Sequence, residues 1–236
     1  MLEIKNLTKK YGNKIAVSEL SMEVRGGELC AFIGHNGAGK TTTLKCVAGI
    51  LGFEEGEIRV GGVSVTEDPI LTKKKLAYIP DNPDIYDFMT GSQYLNFIAD
   101  IFGVEEEVRR EKIRYYASAL ELSEEEIAMQ IGSYSHGMKQ KLVIISALLH
   151  SPELIILDEP FVGLDPKASH ALKDIMRDFC RAGGAILFST HILEVAERLC
   201  DKVAIIKEGK LVTCGSMDEV KGDASLEEIF LDLEAE

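Results

Sequence analysis

Long apolar segments are missing from this sequence. No run approaches the ~20 residues that a membrane-spanning helix needs, and the longest candidate, Leu142 to Leu149, is short and contains Ser146. The N-terminus, Met1 to Lys5, lacks the basic region and the apolar core of a signal peptide. We therefore expect a cytoplasmic chain that reaches a membrane only through a partner.

Positive charge is also scarce, since 26 Lys and Arg residues face 39 Asp and Glu residues and the formal net charge is −13. Nucleic-acid binders usually present a basic surface, and anionic membranes attract basic segments. The composition argues against nucleic acid as a partner and against direct adsorption to lipid. The five cysteines form no CxxC pair, which favours buried thiols in a reducing compartment.

Proline is sparse as well, and no repeat or low-complexity tract is present. Apolar strands alternate with helical patterns, which indicates an α/β fold with a mainly parallel sheet. The opening strands and a hairpin at Ile58 to Val65 predict an N-terminal antiparallel β subdomain. A helical stretch from Asp84 to about Met129, and a helix from Ser135 to His150, predict an inserted helical subdomain. We expect one domain over 1–236, with a core (1–80 and 151–236) and a helical subdomain (about 82–150).

One glycine-rich segment carries the strongest functional signal. Gly34 to Thr41 fits the phosphate-loop pattern G-x-x-x-x-G-K-[ST], with an apolar strand before it and a helix after it. Glycines let backbone N–H groups point at phosphate oxygens, Lys40 adds a full charge, and the Thr41 hydroxyl is a ligand for Mg²⁺. The pattern predicts a phosphate-loop NTPase core. We expect the nucleotide to contact Gly34, His35, Asn36, Gly37, Ala38, Gly39, Lys40, Thr41 and Thr42.

Two carboxylates follow the fully apolar strand Leu154 to Leu157. Ligands bind at the carboxyl edge of parallel sheets, so Asp158 is placed to bind Mg²⁺ and Glu159 to orient or deprotonate an attacking water. The alternative, a solvated acidic pair before Pro160, is weaker beside a complete phosphate loop. A GTPase is disfavoured because the only Asn-Lys pair, at Asn13, lies upstream of the loop and lacks the following Asp.

With its further motifs, the whole chain resembles the ATP-binding-cassette (ABC) family. Tyr11 corresponds to the aromatic residue that stacks on adenine, Gly34 to Thr41 to the Walker A loop, and Tyr134 to Met138 to the signature. Leu154 to Glu159 corresponds to the Walker B strand, Gly163 to Asp165 to the D-loop, and His191 to the switch histidine. Each of these motifs alone could also be explained by an ordinary packing or capping role. The resemblance depends on all of them occurring together and in this order along the chain.

The resemblance implies an ATPase that works as a head-to-tail dimer, homomeric or heteromeric, with ATP at the interface. Ser135, Gly137 and Asp165 of one chain are then expected to contact the nucleotide that the other chain holds. His191 is expected to contact the γ-phosphate and to fix the geometry in which Glu159 activates water. The implied cofactors are ATP and Mg²⁺, and the implied partner is a transmembrane permease that holds the chain at the inner face of the cell membrane.

Departures from the family pattern bear on the mechanism. Tyr134 and Met138 stand where the signature usually has Leu and Gln, as they do in export-type cassettes. His136 replaces a glycine and adds a titratable side chain near the phosphate. Asp81 replaces the usual Gln, and we expect it to bind Mg²⁺. The alternatives for Asp81 are altered coupling to the permease or a simple turn-capping role.

We therefore predict the energy-providing subunit of an exporter, and the segment from Ser225 to Phe230 resembles the C-terminal end of that branch too. The whole acidic tail, Ser225 to Glu236, predicts an amphipathic helix. Nine aromatic residues between Tyr78 and Tyr134 predict mainly a subdomain core, with a groove for a permease helix. Two alternatives stay open. A soluble ABC ATPase acting on ribosomes or in DNA repair is disfavoured by the single cassette, and a regulatory module with weak hydrolysis is kept open by Asp81 and His136.

Overall fold

The computed structural model describes residues 1–235, which form two β-sheets and ten α-helices. The strands in chain order are β1 (Leu2–Tyr11), β2 (Lys14–Val24), β3 (Leu29–Ile33), β4 (Glu55–Val60), β5 (Val63–Ser64), β6 (Leu76–Ile79), β7 (Leu154–Asp158), β8 (Ala185–Thr190), β9 (Lys202–Lys207) and β10 (Lys210–Ser216). The helices are α1 (Lys40–Val47), α2 (Pro69–Lys75), α3 (Gly91–Ile101), α4 (Glu106–Ala119), α5 (Glu124–Ala128), α6 (His136–Leu148), α7 (Pro166–Arg181), α8 (Leu193–Leu199), α9 (Met217–Lys221) and α10 (Leu226–Ala235).

A six-stranded sheet with the order β10-β9-β3-β8-β7-β6 forms the centre of the fold, and β10 is its antiparallel strand. β3, β7 and β8 are buried along their whole length because layers cover both faces of the sheet. The apolar runs without alternation are thus central strands of a parallel sheet. The predicted α/β class with a mainly parallel sheet is confirmed.

A second, four-stranded sheet has the order β2-β1-β4-β5 and is antiparallel throughout. It confirms the predicted N-terminal β subdomain. β1 is longer than the alternation from Leu2 to Lys5 predicts, because the register with β2 shifts after Ile4 and Asn6 takes a φ of 50°. The strand therefore continues to Tyr11, where the hairpin with β2 begins.

Helices α3 to α6 lie between β6 and β7 in the chain. The stretch predicted as helical from Asp84 starts only at Gly91, where Thr90 and Gln93 form a capping box. The prediction does not include α2 or α9, because helices of seven and five residues are too short to show a clear period. The proposed boundaries of the core and the helical subdomain stay a prediction. Within residues 1–235 no helix has the length and apolar character to cross a bilayer.

The predicted C-terminal amphipathic helix is present as α10, while Glu236 lies outside the described residues. Of the five cysteines, four are buried, as predicted, whereas Cys214 is half-buried.

The side chains of β3 alternate between two apolar clusters. Leu29, Ala31 and Ile33 pack with residues of α6 and α7, whereas Cys30 and Phe32 pack with the antiparallel sheet and α1. The parallel register aligns the ends of the neighbouring strands, since Ile33 pairs with Thr190 and Asp158 pairs with Ser189. The carboxyl ends of β3, β8 and β7 therefore meet at one edge, which is where the functional residues collect.

Candidate active site

The loop between β3 and α1 depends on its glycines. Gly37 and Gly39 have φ values of 85° and 108°, in the left-handed region that glycine adopts without a steric penalty. A Cβ atom on Gly34 would collide with the carbonyl oxygen of Ile206, and one on Gly39 would lie 2.7 Å from that of Ala16. The loop is thus wedged between β9 and β2, and α1 points its N-terminal N–H groups into the space that the loop encloses.

The Lys40 side chain is buried beneath this loop. Its ammonium donates hydrogen bonds to the carbonyl oxygen of Gly34 and, at 3.1 Å, to that of His35. Burial lowers the pKa of Lys40, and the nearby carboxylates of Glu159 and Asp158 oppose that change. The Lys40 ammonium is therefore a buried cation held by backbone oxygens. It can exchange these hydrogen bonds for hydrogen bonds to phosphate oxygens.

Asp158 ends β7 and is buried at the carboxyl edge of the sheet. The Ser189 hydroxyl on β8 donates to Asp158 Oδ1. Asp158 Oδ2 is also buried and has no hydrogen-bond partner among the residues that the structure describes. A buried carboxylate oxygen without a partner is costly, and a bound cation removes that cost. The donor set at this position therefore fits a Mg²⁺ ion, which prefers oxygen ligands.

Glu159 follows Asp158 and is held in a strained conformation. Its φ is 47°, in the left-handed region that disfavours a residue with a side chain. Its N–H donates to the Ser189 hydroxyl at 3.0 Å, and His191 Nδ1 lies 2.9 Å from its Oε2. Ser189 thus fixes both carboxylate residues at once. Ser189 is not among the predicted site residues, because its only signal in the sequence is a hydroxyl at the end of an apolar strand.

A cleft of about 540 Å³ opens at this edge of the sheet. It brings together eleven predicted site residues: Tyr11, His35, Asn36, Gly37, Gly39, Lys40, Thr41, Thr42, Asp81, Asp158 and Glu159. Five further residues that were not predicted also line it: Lys14, Ile15, Ala16, Glu208 and Gly209. Glu208 and Gly209 form the β9–β10 turn, which sequence patterns predict only as a hairpin.

Tyr11 and Asp81 both line the cleft. The Tyr11 side chain, at the end of β1, is 50% exposed, and Lys9 Nζ lies 5.4 Å from its ring centroid. The face of such a ring is available to a planar base. Asp81 follows β6, and its Oδ1 accepts the N–H of Asn82 at 2.9 Å. Asp81 therefore caps its turn and lines the cleft as well.

The remaining predicted residues do not line the cleft. Gly34 and Ala38 are buried within the loop, and His191 reaches the cleft only through Glu159. Ser135 caps α6 by accepting the N–H of Met138 at 3.2 Å, and Gly137 packs against the backbone of Gly163. Asp165 caps α7 and pairs with Lys141 at 3.1 Å. The starts of α6 and α7 thus form a second group of predicted residues, linked to each other.

Comparison with known proteins assigns this arrangement to a family. The sequence model described as ABC transporter matches residues 17–162. The chain belongs to the ABC transporter family. It is 39% identical over 221 residues to the ABC transporter ATP-binding protein YxlF of Bacillus subtilis. The aligned region covers 94% of this chain and 72% of that protein. It is 34% identical to the Nod factor export ATP-binding protein I of Burkholderia orbicola, over 91% of this chain and 70% of that one.

A solved ATP-binding subunit of an ABC transporter superimposes with a TM-score of 0.95 at 35% identity and covers 99% of both chains. The chain is accordingly an ATP-binding and ATP-hydrolysing subunit of the ABC transporter family. ATP-binding subunits of this family work as dimers, generally with transmembrane permease components. The phosphate-loop fold predicted from the sequence is that of the family.

Proposed function

We propose that this subunit hydrolyses ATP in the cleft, as one half of a head-to-tail dimer, and drives an exporter. The observation that carries the proposal is the hydrogen bond between Glu159 Oε2 and His191 Nδ1 at the mouth of a phosphate loop. A carboxylate that a histidine orients beside bound phosphates is suited to positioning water for in-line attack.

The cleft residues divide into those for the base and those for the phosphates. Tyr11 stacks on the adenine, since it is half exposed and lines the cleft. The N–H groups of Gly34 to Thr42, together with the Lys40 ammonium, hold the phosphates. Lys40 exchanges its hydrogen bonds to loop carbonyl oxygens for bonds to phosphate oxygens, so no charge is buried without a partner in either state.

Thr41, Asp158 and Asp81 are the residues that would hold Mg²⁺. The unpartnered Oδ2 of Asp158 supports this assignment. Within residues 1–235 no group of three or more His, Cys, Asp or Glu side chains could bind a metal, and these three residues would hold the ion together with oxygens of the nucleotide. When bound, the ion neutralises part of the charge on the phosphates.

In the reaction, Glu159 orients the water and accepts its proton, a role that typically contributes about 10²–10⁴-fold. His191 restrains the Glu159 carboxylate and contacts the γ-phosphate. Lys40 stabilises the charge that develops on the transferred group. The strained backbone of Glu159 supports this assignment, because such strain concentrates at functional residues.

The second group of predicted residues completes the site of the other subunit. Ser135 lies exposed at the N-terminus of α6, which is a favourable place for an anion. Gly137 and Asp165 adjoin it through Gly163 and Lys141. Since none of these residues lines the cleft of its own chain, we propose that they contact the γ-phosphate bound to the partner.

The permease contact lies on exposed aromatic residues in α3 and in the segment just before it. Tyr86 packs against Phe88 and Phe97 with ring centroids 5.7 and 5.9 Å apart, and all three are exposed. Of the nine aromatics, Tyr94 and Tyr134 are buried as expected for a subdomain core, whereas these three are exposed. An exposed apolar patch of this kind marks a partner site, and we assign it to a cytoplasmic helix of the permease.

Export is the direction that we propose. The signature from Tyr134 to Met138 and the C-terminal segment resemble those of export-type cassettes, and one relative is named for Nod factor export. Isolation from detergent-solubilised membranes tests the assignment, and we expect a multi-spanning membrane protein to copurify. Ribosomal or DNA-repair proteins in its place would overturn the transport role.

Glu159→Gln tests the catalytic role. We expect the variant to bind Mg·ATP, to form an ATP-dependent dimer in light scattering, and to lose about 100-fold or more in turnover. Glu194→Gln, an exposed carboxylate of α8 paired with Arg198, is the control and keeps wild-type turnover. Lys40→Ala is expected to lose ATP affinity instead. Undiminished turnover in Glu159→Gln would refute the assignment.

A further inference from the structure

The C-terminal helix α10 contacts the phosphate loop. The ring centroids of His35 and Phe230 lie 4.9 Å apart, with the ring planes tilted by 56°. Phe230 is 9% exposed and belongs to the apolar cluster that contains Leu226 and Ile205. His35 lines the nucleotide cleft, and Phe230 does not. The contact therefore reaches the loop from outside the space that the nucleotide occupies.

The start of α10 is fixed to the helix that follows the switch histidine. The N–H of Leu226 donates to Glu197 Oε2 at 3.3 Å, and Lys221 at the end of α9 donates to Oε1 of the same carboxylate. Glu197 lies on α8, and the Lys221 hydrogen bond lowers its pKa. Leu226 is fully buried. Phe230 is thus presented by an element that is itself anchored.

His35 occupies a central place in the loop. Its carbonyl oxygen accepts hydrogen bonds at 3.1 Å from Lys40 Nζ and from the N–H of Ala38. The backbone at His35 therefore helps to set where the loop N–H groups and the Lys40 ammonium point. Gly34 and Gly39 are restrained by the backbones of Ile206 and Ala16. Ring packing restrains the residue between them.

We propose that Phe230 is a positioning residue for ATP binding, which acts by holding His35 and with it the phosphate loop in the binding conformation. The inference rests on the proposed binding of ATP at this loop. A loop that is ordered in advance loses less conformational freedom when the ligand binds. The contribution of Phe230 therefore lies in ATP affinity and KM, and not in kcat.

Four variants of the full chain test this proposal by titration with Mg·ATP in the absence of the permease. Phe230→Ala and Phe230→Leu remove the ring contact, and the loss of one aromatic pair corresponds to a Kd about two- to tenfold higher. Phe230→Tyr keeps the ring and is expected to retain the wild-type Kd. Leu231→Ala, at a neighbouring position of α10 that is 61% exposed, is the control and retains it as well.

A double-variant cycle separates positioning from general damage to α10. If the ring contact carries the effect, Phe230→Leu has no further effect on Kd once His35→Ala is present. At saturating ATP, kcat of the subunit with its permease is expected to stay within about twofold of wild type, so that KM alone changes. A higher KM with an unchanged kcat supports a positioning role for Phe230. A merely structural role would lower the fraction of active protein and with it the measured kcat.

Two results would overturn the proposal: an unchanged Kd in Phe230→Leu, or additive losses in the double variant. If Phe230→Ala does not fold, as judged by thermal unfolding, Phe230→Leu decides the question because it keeps the apolar burial. Absence of Mg·ATP binding in the wild-type chain would contradict the proposed function and with it this inference. Unchanged affinity in the variants overturns the inference alone.

Discussion

Ser189 holds both carboxylate residues of the site through one hydroxyl group. It donates to Asp158 Oδ1 and accepts the N–H of Glu159 at 3.0 Å, and its side chain is fully buried. Ser189→Ala removes a single oxygen atom from this position. The substitution therefore tests whether the geometry of the two carboxylates, and not only their presence, sustains hydrolysis.

The structure sets the size of the expected effects. A buried donor left without an acceptor costs about 1–3 kcal/mol, and a hydrogen bond to a charged group is worth about 1.5–3 kcal/mol. The two losses together predict that Ser189→Ala lowers the free energy of unfolding by about 2.5–6 kcal/mol. Glu159 then loses the anchor of its strained backbone. Because a displacement of about 1 Å can cost about 100-fold in rate, we expect kcat to fall by about 10- to 100-fold.

The assay compares ATP turnover at saturating nucleotide with urea unfolding of the same preparation. Ser64→Ala is the matched control, because Ser64 is also buried and its hydroxyl also accepts backbone N–H groups, those of Thr66 and Glu67 at 3.4 Å. Ser64 does not line the cleft. We expect this control to lose stability but to keep kcat. A kcat of Ser189→Ala within about twofold of wild type would refute the reasoning.

Two further changes have defined outcomes. Gly163→Ala places a Cβ against His136 Nδ1 at a residue with a φ of 80°, so we expect about tenfold lower turnover; His136→Gly in the same chain is expected to restore part of it. Burial lowers the pKa of His150, so the unfolded chain binds the proton more readily and stability falls as the pH drops below about 6.5. We expect His150→Gln to reduce this loss of stability at low pH, measured as the free energy of unfolding in urea. An equal loss in the variant would contradict the assignment of the effect to His150.

The site residues that lie in one continuous stretch of sequence could be predicted from the sequence alone. Gly34 to Thr41 form one uninterrupted segment, and Asp158 and Glu159 directly follow an apolar strand. Their positions relative to each other follow from the rule that parallel strands align their carboxyl ends. The same rule, applied to the continuous apolar runs, predicts the central sheet that the structure contains.

Residues that support the site from distant segments could not be predicted. Ser189 and Asp158 are 31 positions apart, and their contact depends on β8 and β7 being neighbours in register. The packing of Phe230 on His35 depends on how α10 docks, which local periodicity does not determine. The exposure of Phe88 is a similar case, because the surrounding helices decide whether an aromatic side chain is covered.

The strand order also governs when the chain becomes able to bind ATP during its synthesis. β3 lies between β8 and β9, so Ile33, directly before the phosphate loop, pairs with Thr190 and Ile205. A ribosome that has released only the first two thirds of the chain has released the loop but not the strands on either side of it. Such long-range pairing forms late in folding. We therefore expect ATP to stabilise the nearly complete chain and not its earlier fragments.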